Sequence, residues 1–206
     1  MPLLPLFPLD TVLLPGTPLP LHIFEPRYKE MIGECVANDA PFGVVRALEE
    51  GIADLGCTAE VITVTKKYSD GRMDLIAEGR SRFEVLEVNR DRSFLRAEVL
   101  LIPDEHAFDE ISTVADDERR RAVRLHLEIL SLAGAVQDLS SADQKALSFY
   151  LAGSLPLDLD FKQQLLAMRS EGQRIKEVAD YMENLLPKLR GVAKARERAG
   201  GNGHVH

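Results

Sequence analysis

The first 36 residues restrict the possible folds of this chain more than any other part of its sequence. Two apolar runs, Leu3–Leu14 and Leu19–Phe24, are separated by the turn-forming stretch Pro15–Pro18. Pro26 then opens a helix, because proline at the first helical position has a preset φ and leaves no amide hydrogen unpaired. The apolar residues of this helix recur as a single stripe: Tyr28, Met31, Ile32, Cys35 and Val36. The block therefore predicts strand, turn, strand and helix, with the helix packed on the sheet.

Residues 41–101 continue the pattern of short strands. The stretch 57–68 is rich in β-branched residues, which suit a pleated strand better than a helix. Gly71 predicts a hairpin turn, since glycine supplies the positive φ of a tight turn, and Gly79 predicts a turn or bulge. The strands predicted after the first helix are 41–48, 57–68, 72–78, 82–88 and 95–101. Consecutive strands at this spacing are typical of a mostly antiparallel meander that closes into a small barrel.

After Pro103 the spacing of the apolar residues changes from that of strands to that of helices. An acidic connector at 104–115 separates the two parts. The predicted helices are 116–134, 140–153, 158–168 and a longer one around 175–185 that Pro187 kinks or ends. Strands followed by helices favour an α+β fold with segregated parts. The predicted division is a β-rich domain at 1–103, a helical bundle at 116–190 and a disordered tail at 191–206.

The composition is that of a globular protein with a buried core. The chain has 206 residues, of which 45% are hydrophobic and 28% charged, and no apolar run approaches the ~20 residues of a membrane helix. Its start lacks the charged segment and cleavage site of a secretory signal. A net charge of −8 makes nucleic acid an unfavourable main partner. Cys35 and Cys57 form no disulfide framework, so we expect reduced thiols, a cytoplasmic location and no membrane partner.

Several stretches together resemble a known family. They are PLFPLDTVLLPGTPLPLHIFEPRY at the start, then DLGCTA, DGRM, GRSRF and the helical tail around 149–166. Their order and spacing are similar to the Lon substrate-binding (LON) domain, the N-terminal domain of ATP-dependent Lon proteases, over roughly residues 1–190. The likeness is greatest to bacterial proteins in which this domain stands alone, and cereblon carries a related domain. The resemblance implies a PUA-like antiparallel β pseudo-barrel with one helix, followed by a C-terminal helical bundle.

Motifs for catalysis are not found in this sequence. The phosphate-binding pattern G-x-x-x-x-G-K-[ST] and the nucleophile elbow G-x-S-x-G do not occur. Serine–lysine or serine–histidine pairs stay open, because such partners can be remote in the chain. The Lon family's ATPase and proteolytic dyad belong to other domains, so the resemblance implies no enzyme activity, no catalytic residues and no cofactor.

The side chains that bind metals are present but poorly spaced. His22, Cys35 and Cys57 are not arranged as C-x-x-C or H-E-x-x-H, and Cys35 already belongs to the apolar helix stripe. Acidic clusters at 49–50 and 116–118 fit a solvated loop and a helix start better than a catalytic pair. We therefore predict no metal site.

A basic cluster, Arg119–Arg121 with Arg124, directly follows Asp116–Glu118. Salt bridges within one helix explain this arrangement, because residues three and four apart lie side by side on a helix surface. The alternative is a contact with an acidic partner. Intrahelical pairing is the favoured interpretation.

The predicted peptide-binding residues are Pro15, Leu19, Tyr28, Arg80 and Arg82. The two arginines resemble the family's arginine-containing strand and would line a peptide groove, whereas the alternative pairs them with acids such as Glu25 or Glu78 on the barrel rim. The leucine–proline stretch 15–20 likewise has two interpretations: its residues either pack at a strand edge or form an exposed apolar surface that binds peptides.

Three functions remain open on the sequence. The first is a non-catalytic module that buries apolar side chains of unfolded or partner protein segments in a groove between barrel and helices, with added pairing at a sheet edge. The second is a small-ligand-binding protein or enzyme, which requires titratable groups converging in a closed pocket. The third is an RNA-binding module, which requires a continuous basic face around Lys66, Lys67, Arg80 and Arg82.

Overall fold

The structure, a computed structural model, describes residues 3–105, 113–135 and 146–201. In these ranges the fold is mixed α+β, as predicted, with a six-stranded sheet and five helices. No helix in these ranges is long and apolar enough to cross a membrane. The elements in chain order are β1 (Leu4–Leu9), β2 (Pro18–Ile23), α1 (Pro26–Asn38), β3 (Phe42–Ala47), β4 (Ile52–Lys67), β5 (Met73–Asn89), β6 (Arg96–Leu101), α2 (Thr113–Leu132), α3 (Leu147–Gly153), α4 (Leu159–Ala167) and α5 (Glu171–Gly201).

The sheet closes on itself. Its strand order is β2-β5-β4-β3-β1-β6, and β5 also pairs with β6, so β5, β4, β3, β1 and β6 form a ring. The pairing is antiparallel except between β1 and β3, which run parallel with Leu6 opposite Gly43. The strands after α1 form the predicted antiparallel meander, since β3 pairs with β4, β4 with β5 and β5 with β6. The parallel pairing of β1 with β3 was not predicted; α1 lies between these two strands in the chain and allows the crossover.

The strands β4 and β5 are long enough to extend beyond the ring. They are joined by the predicted hairpin turn, where Gly71 has φ +83° and donates to the Tyr68 carbonyl. In the extension β2 pairs antiparallel with the first half of β5, which gives a three-stranded sheet β2-β5-β4. The predicted irregularity at Gly79 is a bulge: Cys57 lies opposite Arg82 while Ala59 lies opposite Gly79.

The core lies between α1 and the inward face of the sheet. Tyr28, Met31, Ile32 and Cys35, four of the five residues of the predicted helix stripe, are buried there, with the ring centroids of Tyr28 and Phe7 4.2 Å apart. Val36, the fifth, is 38% exposed. The positions buried by α1 follow from the 3.6-residue period, so the sequence predicted this packing correctly.

Contacts divide the chain into two compact units. The first, called here the barrel unit, comprises residues 3–105 and 152–169 of the described chain, so it includes α4 as well as the strands. Two hydrogen bonds join α4 to the strands: Arg46 of β3 pairs with Asp160, and the Gln163 side chain of α4 donates to the Leu55 carbonyl of β4 at 2.9 Å. The predicted helical bundle, 116–190, included α4, which these contacts group with the strands.

The second unit, called here the helical unit, contains α2, residues 147–151 of α3, and α5. Arg121 of α2 pairs with Asp180 and Glu183 of α5. Arg174 is fully buried, where it donates to Ser148 and Glu171 and lies over the Phe149 ring. Burial raises the pKa of Glu171, against the opposing effect of the hydrogen bonds from Ser148.

The C-terminal helix is longer than predicted. It runs through Pro187 and ends at Gly201, so the described part of the tail predicted to be disordered is helical. Residues 193–199 are mostly alanine, arginine, lysine and glutamate, which are good helix formers. Most of the acidic connector, 106–112, and the predicted start of the second helix, 140–145, lie outside the described residues.

Candidate functional site

Arg82, one of the two predicted arginines, is buried rather than displayed. Its side chain is 3% exposed, and its guanidinium donates to the carbonyls of Leu166, at 2.7 Å, and Met168, and to the carboxylate of Asp104. These groups lie at the C-terminal end of α4 and just after β6. Arg82 therefore ties β5 to the end of α4, and its donors are directed into the protein.

Arg80, two residues earlier on β5, is exposed and paired with acids. It donates to Glu60 at 2.8 Å and to Glu78. From the sequence, pairing with Glu78 on the barrel rim was the alternative to a place for Arg80 in a peptide groove, and the structure contains this pair. Surface pairs of this kind contribute about 0–1 kcal/mol, so Arg80 is held only weakly.

The RNA-binding alternative depends on a basic face that these two arginines do not supply. Lys66 and Lys67 are exposed, but Arg82 is buried and Arg80 lies between two glutamates. The four residues therefore do not form a continuous basic surface, which this alternative requires.

Tyr28 and Leu19 face the interior of the barrel unit. Tyr28 is 7% exposed, and burial raises the pKa of its phenol. Leu19 is half-buried and packs against the same core. Both side chains therefore contribute to packing, and a role for either in peptide binding stays a prediction.

Pro15 belongs to a loop that is fastened to β5. Gly16 donates to the Gly79 carbonyl at 2.8 Å, Gly79 donates to the Thr17 carbonyl at 3.0 Å, and the Thr17 hydroxyl donates to Leu14 at 2.6 Å. Pro15 itself is half-buried at the start of this loop. The loop therefore lies beside Gly79, the residue that precedes Arg80 on β5.

The same hydrogen bonds determine which way β2 presents its backbone. Because the Gly79 amide donates to the Thr17 carbonyl, the backbone groups of every second residue after Thr17 form hydrogen bonds with β5. The backbone groups of the residues between them point to the free edge of the sheet. The edge positions are Pro18, Pro20 and His22, and only His22 has an amide hydrogen. The prolines therefore remove most donors from this edge, which protects it against pairing with another chain.

One exposed apolar surface lies on the outward side of the β2-β5-β4 extension. We call it the outer β face: Pro20, Ile62 and Ile76 lie on three adjacent strands, with Ile62 52% and Ile76 37% exposed. Phe24, 58% exposed, follows β2 and stacks on His22 with centroids 5.9 Å apart. This surface is flat, because it is the face of a sheet.

Polar groups border the outer β face. At one end Asp74 accepts hydrogen bonds from His22 and from the Tyr68 hydroxyl, and these bonds hold the pKa of its carboxyl below the usual range. At the other end lies the Arg80 cluster with Glu60 and Glu78. The apolar strip is therefore bordered at one end by the hydrogen-bonded Asp74 and at the other by the ion pairs of Arg80.

A second apolar surface is concave. A groove of about 420 Å³ lies between the end of β6 and the end of α4. We call it the β6–α4 groove; it is lined by Leu55, Glu84, Leu100, Leu101, Ile102, Pro103, Ala167 and Arg169. Leu100 and Leu101 are each 55% exposed, and Leu86 on the neighbouring strand is 54% exposed. All of these residues belong to the barrel unit.

Hydrogen bonds join the elements that carry this groove. Glu105 donates its amide to the Arg169 carbonyl at 2.9 Å, and Ile102 donates to the Arg82 carbonyl at 2.9 Å. Arg82 fixes the end of α4 from inside the barrel unit. The guanidinium predicted to touch a peptide thus supports the groove from behind.

The groove residues and the outer β face were not predicted from the sequence. Ile76 carries a local signal, since it occupies an outward position between Asp74 and Glu78 where alternation favours a polar residue. Leu100 and Leu101 end a strand with two consecutive apolar residues, which breaks the alternation of β6 in the same way. An apolar residue at a strand position where alternation predicts a polar, outward-facing residue could therefore have indicated these surfaces.

Neither cysteine has the environment of a reactive or metal-binding thiol. Both are buried and free, and burial raises the pKa of Cys35 to about 11 and that of Cys57 to about 12. Within the described ranges, no group of three or more histidine, cysteine or acidic side chains could hold a metal ion. The described residues thus offer no donor set for a metal.

Comparison with known proteins agrees with the resemblance seen in the opening block. The family model of the ATP-dependent protease La (LON) substrate-binding domain matches residues 3–184. The Lon protease of Flavobacterium johnsoniae is 26% identical over 202 residues, which are 90% of this chain and 24% of that protein. The Lon protease of Anaeromyxobacter dehalogenans is 28% identical over 191 residues, 87% of this chain and 23% of that protein. The chain thus spans about a quarter of the length of these Lon proteases.

Solved structures give the same assignment. A Lon N-terminal domain protein from Xanthomonas campestris superimposes with a TM-score of 0.69 and 27% identity, covering 88% of this chain and 99% of that chain. The N-terminal domain of a Mycobacterium avium complex Lon protease, 20% identical, shares the fold with a TM-score of 0.64 over 88% of this chain and 98% of that chain. The match over residues 3–184 covers the barrel and most of the helices. The chain belongs to the family of the ATP-dependent protease La (LON) substrate-binding domain.

Proposed function

We propose that this chain binds apolar segments of unfolded or partner proteins without catalysing a reaction, and that the β6–α4 groove receives them. The observation that carries the proposal is the exposure of Leu100 and Leu101, 55% each, along a concave apolar wall. Full burial of a leucine side chain is worth about 1.5–3 kcal/mol, so two such residues left in water make a strong binding surface. The description of the family as a substrate-binding domain supports a role in binding.

The concave shape favours the groove over the outer β face. A partner side chain in a groove of about 420 Å³ loses water on several sides, whereas one placed on a flat sheet loses it on one side. Glu84 and Arg169 border the groove with opposite charges and provide hydrogen-bonding groups for a peptide backbone. The outer β face is bordered by polar groups at both ends, Asp74 with its hydrogen bonds at one and the Arg80 ion pairs at the other.

Side-chain burial, rather than added strand pairing, is the expected mode of binding. The prolines of β2 leave few amide donors on its free edge, so a partner strand gains little there. We therefore propose that leucine, isoleucine or phenylalanine side chains of the bound segment enter the groove. Sequence preference would then be broad, as in a holdase or an adaptor that reads apolar composition.

Binding of a permanently unfolded protein tests the proposal. Fluorescein-labelled, reduced and carboxymethylated α-lactalbumin is titrated with the full chain, and anisotropy gives the Kd. The groove variant is Leu100→Ser with Leu101→Ser, and the matched control is Ile62→Ser with Ile76→Ser on the outer β face. These side chains are 37–55% exposed, so the changes affect folding little.

We expect the groove variant to weaken binding at least about tenfold, since loss of two leucine contacts exceeds 1.4 kcal/mol. The control is expected to bind like the unmodified chain. Native α-lactalbumin, whose apolar residues are buried, is expected not to bind. A loss confined to the control variant would assign binding to the outer β face, and an absence of binding by the unmodified chain would contradict the proposed function.

A further inference from the structure

A basic and apolar groove lies on α2 in the helical unit. It has a volume of about 440 Å³, and its lining consists of arginines and aliphatic residues: Arg119, Arg120, Val123, Arg124, Leu127 and Leu147. All of them belong to the helical unit, so the groove is separate from the β6–α4 groove of the barrel unit. We call it the α2 groove.

The apolar part of this groove has the spacing of a helix-binding surface. Val123 and Leu127 are one helical turn apart on α2, and Leu147 of α3 lies beside them. Leu147 is 2% exposed, whereas Leu127 is 45% exposed. Leu127 therefore presents an aliphatic side chain to solvent above a buried neighbour, where an apolar residue of a partner would cover it.

The arginines that border the groove are only loosely engaged. Arg119 approaches Asp116 at 3.6 Å, and Arg120 pairs with Asp117 although both side chains are 72% exposed. These pairs, three residues apart, confirm the intrahelical salt bridges favoured from the sequence, and each is worth about 0–1 kcal/mol. Arg124 is exposed and has no acidic partner among the residues that the structure describes.

Arg121, in the middle of the same cluster, behaves differently. It pairs with Glu118, Asp180 and Glu183, and its hydrogen bonds, first with Glu183, hold its pKa above the usual range. Arg121 thus connects α2 to α5 and is not available to a partner. The contrast leaves Arg119, Arg120 and Arg124 as the charges that could exchange their present contacts for those of another molecule.

From this arrangement we propose that the α2 groove binds an amphipathic helix with an acidic face. Its apolar residues, three or four apart, would cover Leu127 and Val123, and its glutamates or aspartates would pair with Arg124, Arg119 and Arg120. Charge complementarity selects this occupant, because no acidic side chain of the described chain lines the groove. Arginine suits the role since its planar guanidinium binds carboxylates bidentately.

The attraction acts at short range. The chain as a whole has a net charge of −8, which repels an acidic partner at long distance. At physiological ionic strength charges are screened beyond about 8 Å, so only the local arginines are felt once the helix is in contact. Binding by this groove is consequently expected to weaken steeply as salt is added.

A designed peptide tests the proposal on the full chain. The probe is a fluorescein-labelled peptide of about four helical turns, with leucines on one face and glutamates on the other. A second peptide has every glutamate replaced by lysine, and a third has the residues of the first in an order that scatters the leucines around the helix. Anisotropy titrations measure all three against the unmodified chain.

Matched variants locate the binding. Arg124→Glu and Leu127→Ser alter the groove, while Lys176→Glu and Val192→Ser make the same kinds of change at exposed positions of α5. We expect the acidic peptide to bind at least about tenfold more tightly than the lysine and scattered peptides, and each groove variant to lose about tenfold in affinity. The α5 variants should lose less than about twofold in affinity for the acidic peptide, a change close to the error of such titrations.

Three results would overturn the proposal. They are no binding of the acidic peptide, equal binding of the acidic and lysine peptides, and equal losses in the groove and α5 variants. Binding that weakens in Leu100→Ser instead would assign the peptide to the β6–α4 groove and likewise refute a site on α2.

Discussion

Replacement of Arg82 by methionine should destabilise the barrel unit strongly, although the side chain was predicted to bind peptides. Methionine keeps much of the buried aliphatic stem but removes every donor. The carbonyls of Leu166 and Met168 then lose their partner at the end of α4, and Asp104 loses its counter-ion. The change therefore separates a structural role from a binding role.

The expected loss follows from burial. Arg82 is 3% exposed, and removal of one partner of a buried charged pair costs about 3–5 kcal/mol. Asp104 is 36% exposed and regains water, so we expect the lower end, about 3 kcal/mol. With an m-value of about 2 kcal/mol/M, the urea midpoint followed by circular dichroism would fall by about 1.5 M.

Arg80→Met is the matched control on the same strand. Its guanidinium pairs with Glu60 and Glu78 at the surface, where the side chain is 40% exposed, so the free energy of unfolding should fall by at most about 1 kcal/mol. Arg82→Lys should lower the free energy of unfolding by an amount between those of Arg80→Met and Arg82→Met. An ammonium group keeps the charge but cannot bridge two carbonyls and a carboxylate as the planar guanidinium does.

Equal destabilisation by Arg82→Met and Arg80→Met would refute this reasoning. A second contradiction would be an Arg82→Met variant of normal stability that no longer binds unfolded α-lactalbumin. That result would return Arg82 to the peptide-contacting role predicted from the sequence.

Four further predictions concern packing and the thiols. Gly153→Ala should lower the free energy of unfolding by about 1–3 kcal/mol, since the new Cβ would lie 2.2 Å from Cγ2 of Thr17; an unchanged urea midpoint would contradict this. Gly33→Ala should instead raise stability by about 0.5–1 kcal/mol, because Gly33 is inside α1 and nothing lies within 4 Å of an added Cβ; a lower midpoint would contradict it. Cys35 and Cys57 should react with Ellman's reagent at pH 8 only after addition of urea, because burial raises their pKa values to about 11 and 12; rapid reaction of the folded chain would show that the thiols are accessible. Since these pKa values exceed those of unfolded thiols, stability should fall as the pH rises above about 9, and a rise would contradict the shifts.

Local patterns predicted the elements that local contacts stabilise. The stripe on α1, the hairpin at Gly71 and the bulge at Gly79 each depend on residues close in the chain. The parallel pairing of β1 with β3 was not predicted, because β1 is apolar on both faces and its sequence does not specify a direction. The inclusion of α4 in the barrel unit depends on Arg46 and Arg82, whose partners on α4 are more than 80 residues away in the sequence.

The candidate surfaces were still harder to predict. The groove joins Leu55, Leu100 and Ala167, which are far apart in the sequence, and only the closed sheet brings them together. Ile62 follows the inward residues Ala59 and Val61 in alternation, and the bulge between Val61 and Thr63 then turns Thr63 outward and Val64 inward. Such shifts depend on pairing with β5, so the sequence of β4 alone does not reveal them.

Methyl NMR of the full chain with an unfolded partner tests the central claim most directly. The β6–α4 groove carries Leu55, Leu100 and Leu101, while the outer β face carries Ile62 and Ile76, so leucine and isoleucine methyl groups report on the two surfaces separately. Addition of unlabelled, carboxymethylated α-lactalbumin should shift the three leucine signals and leave both isoleucine signals in place. Shifts at Ile62 and Ile76 without shifts at Leu100 and Leu101 would contradict binding in the groove.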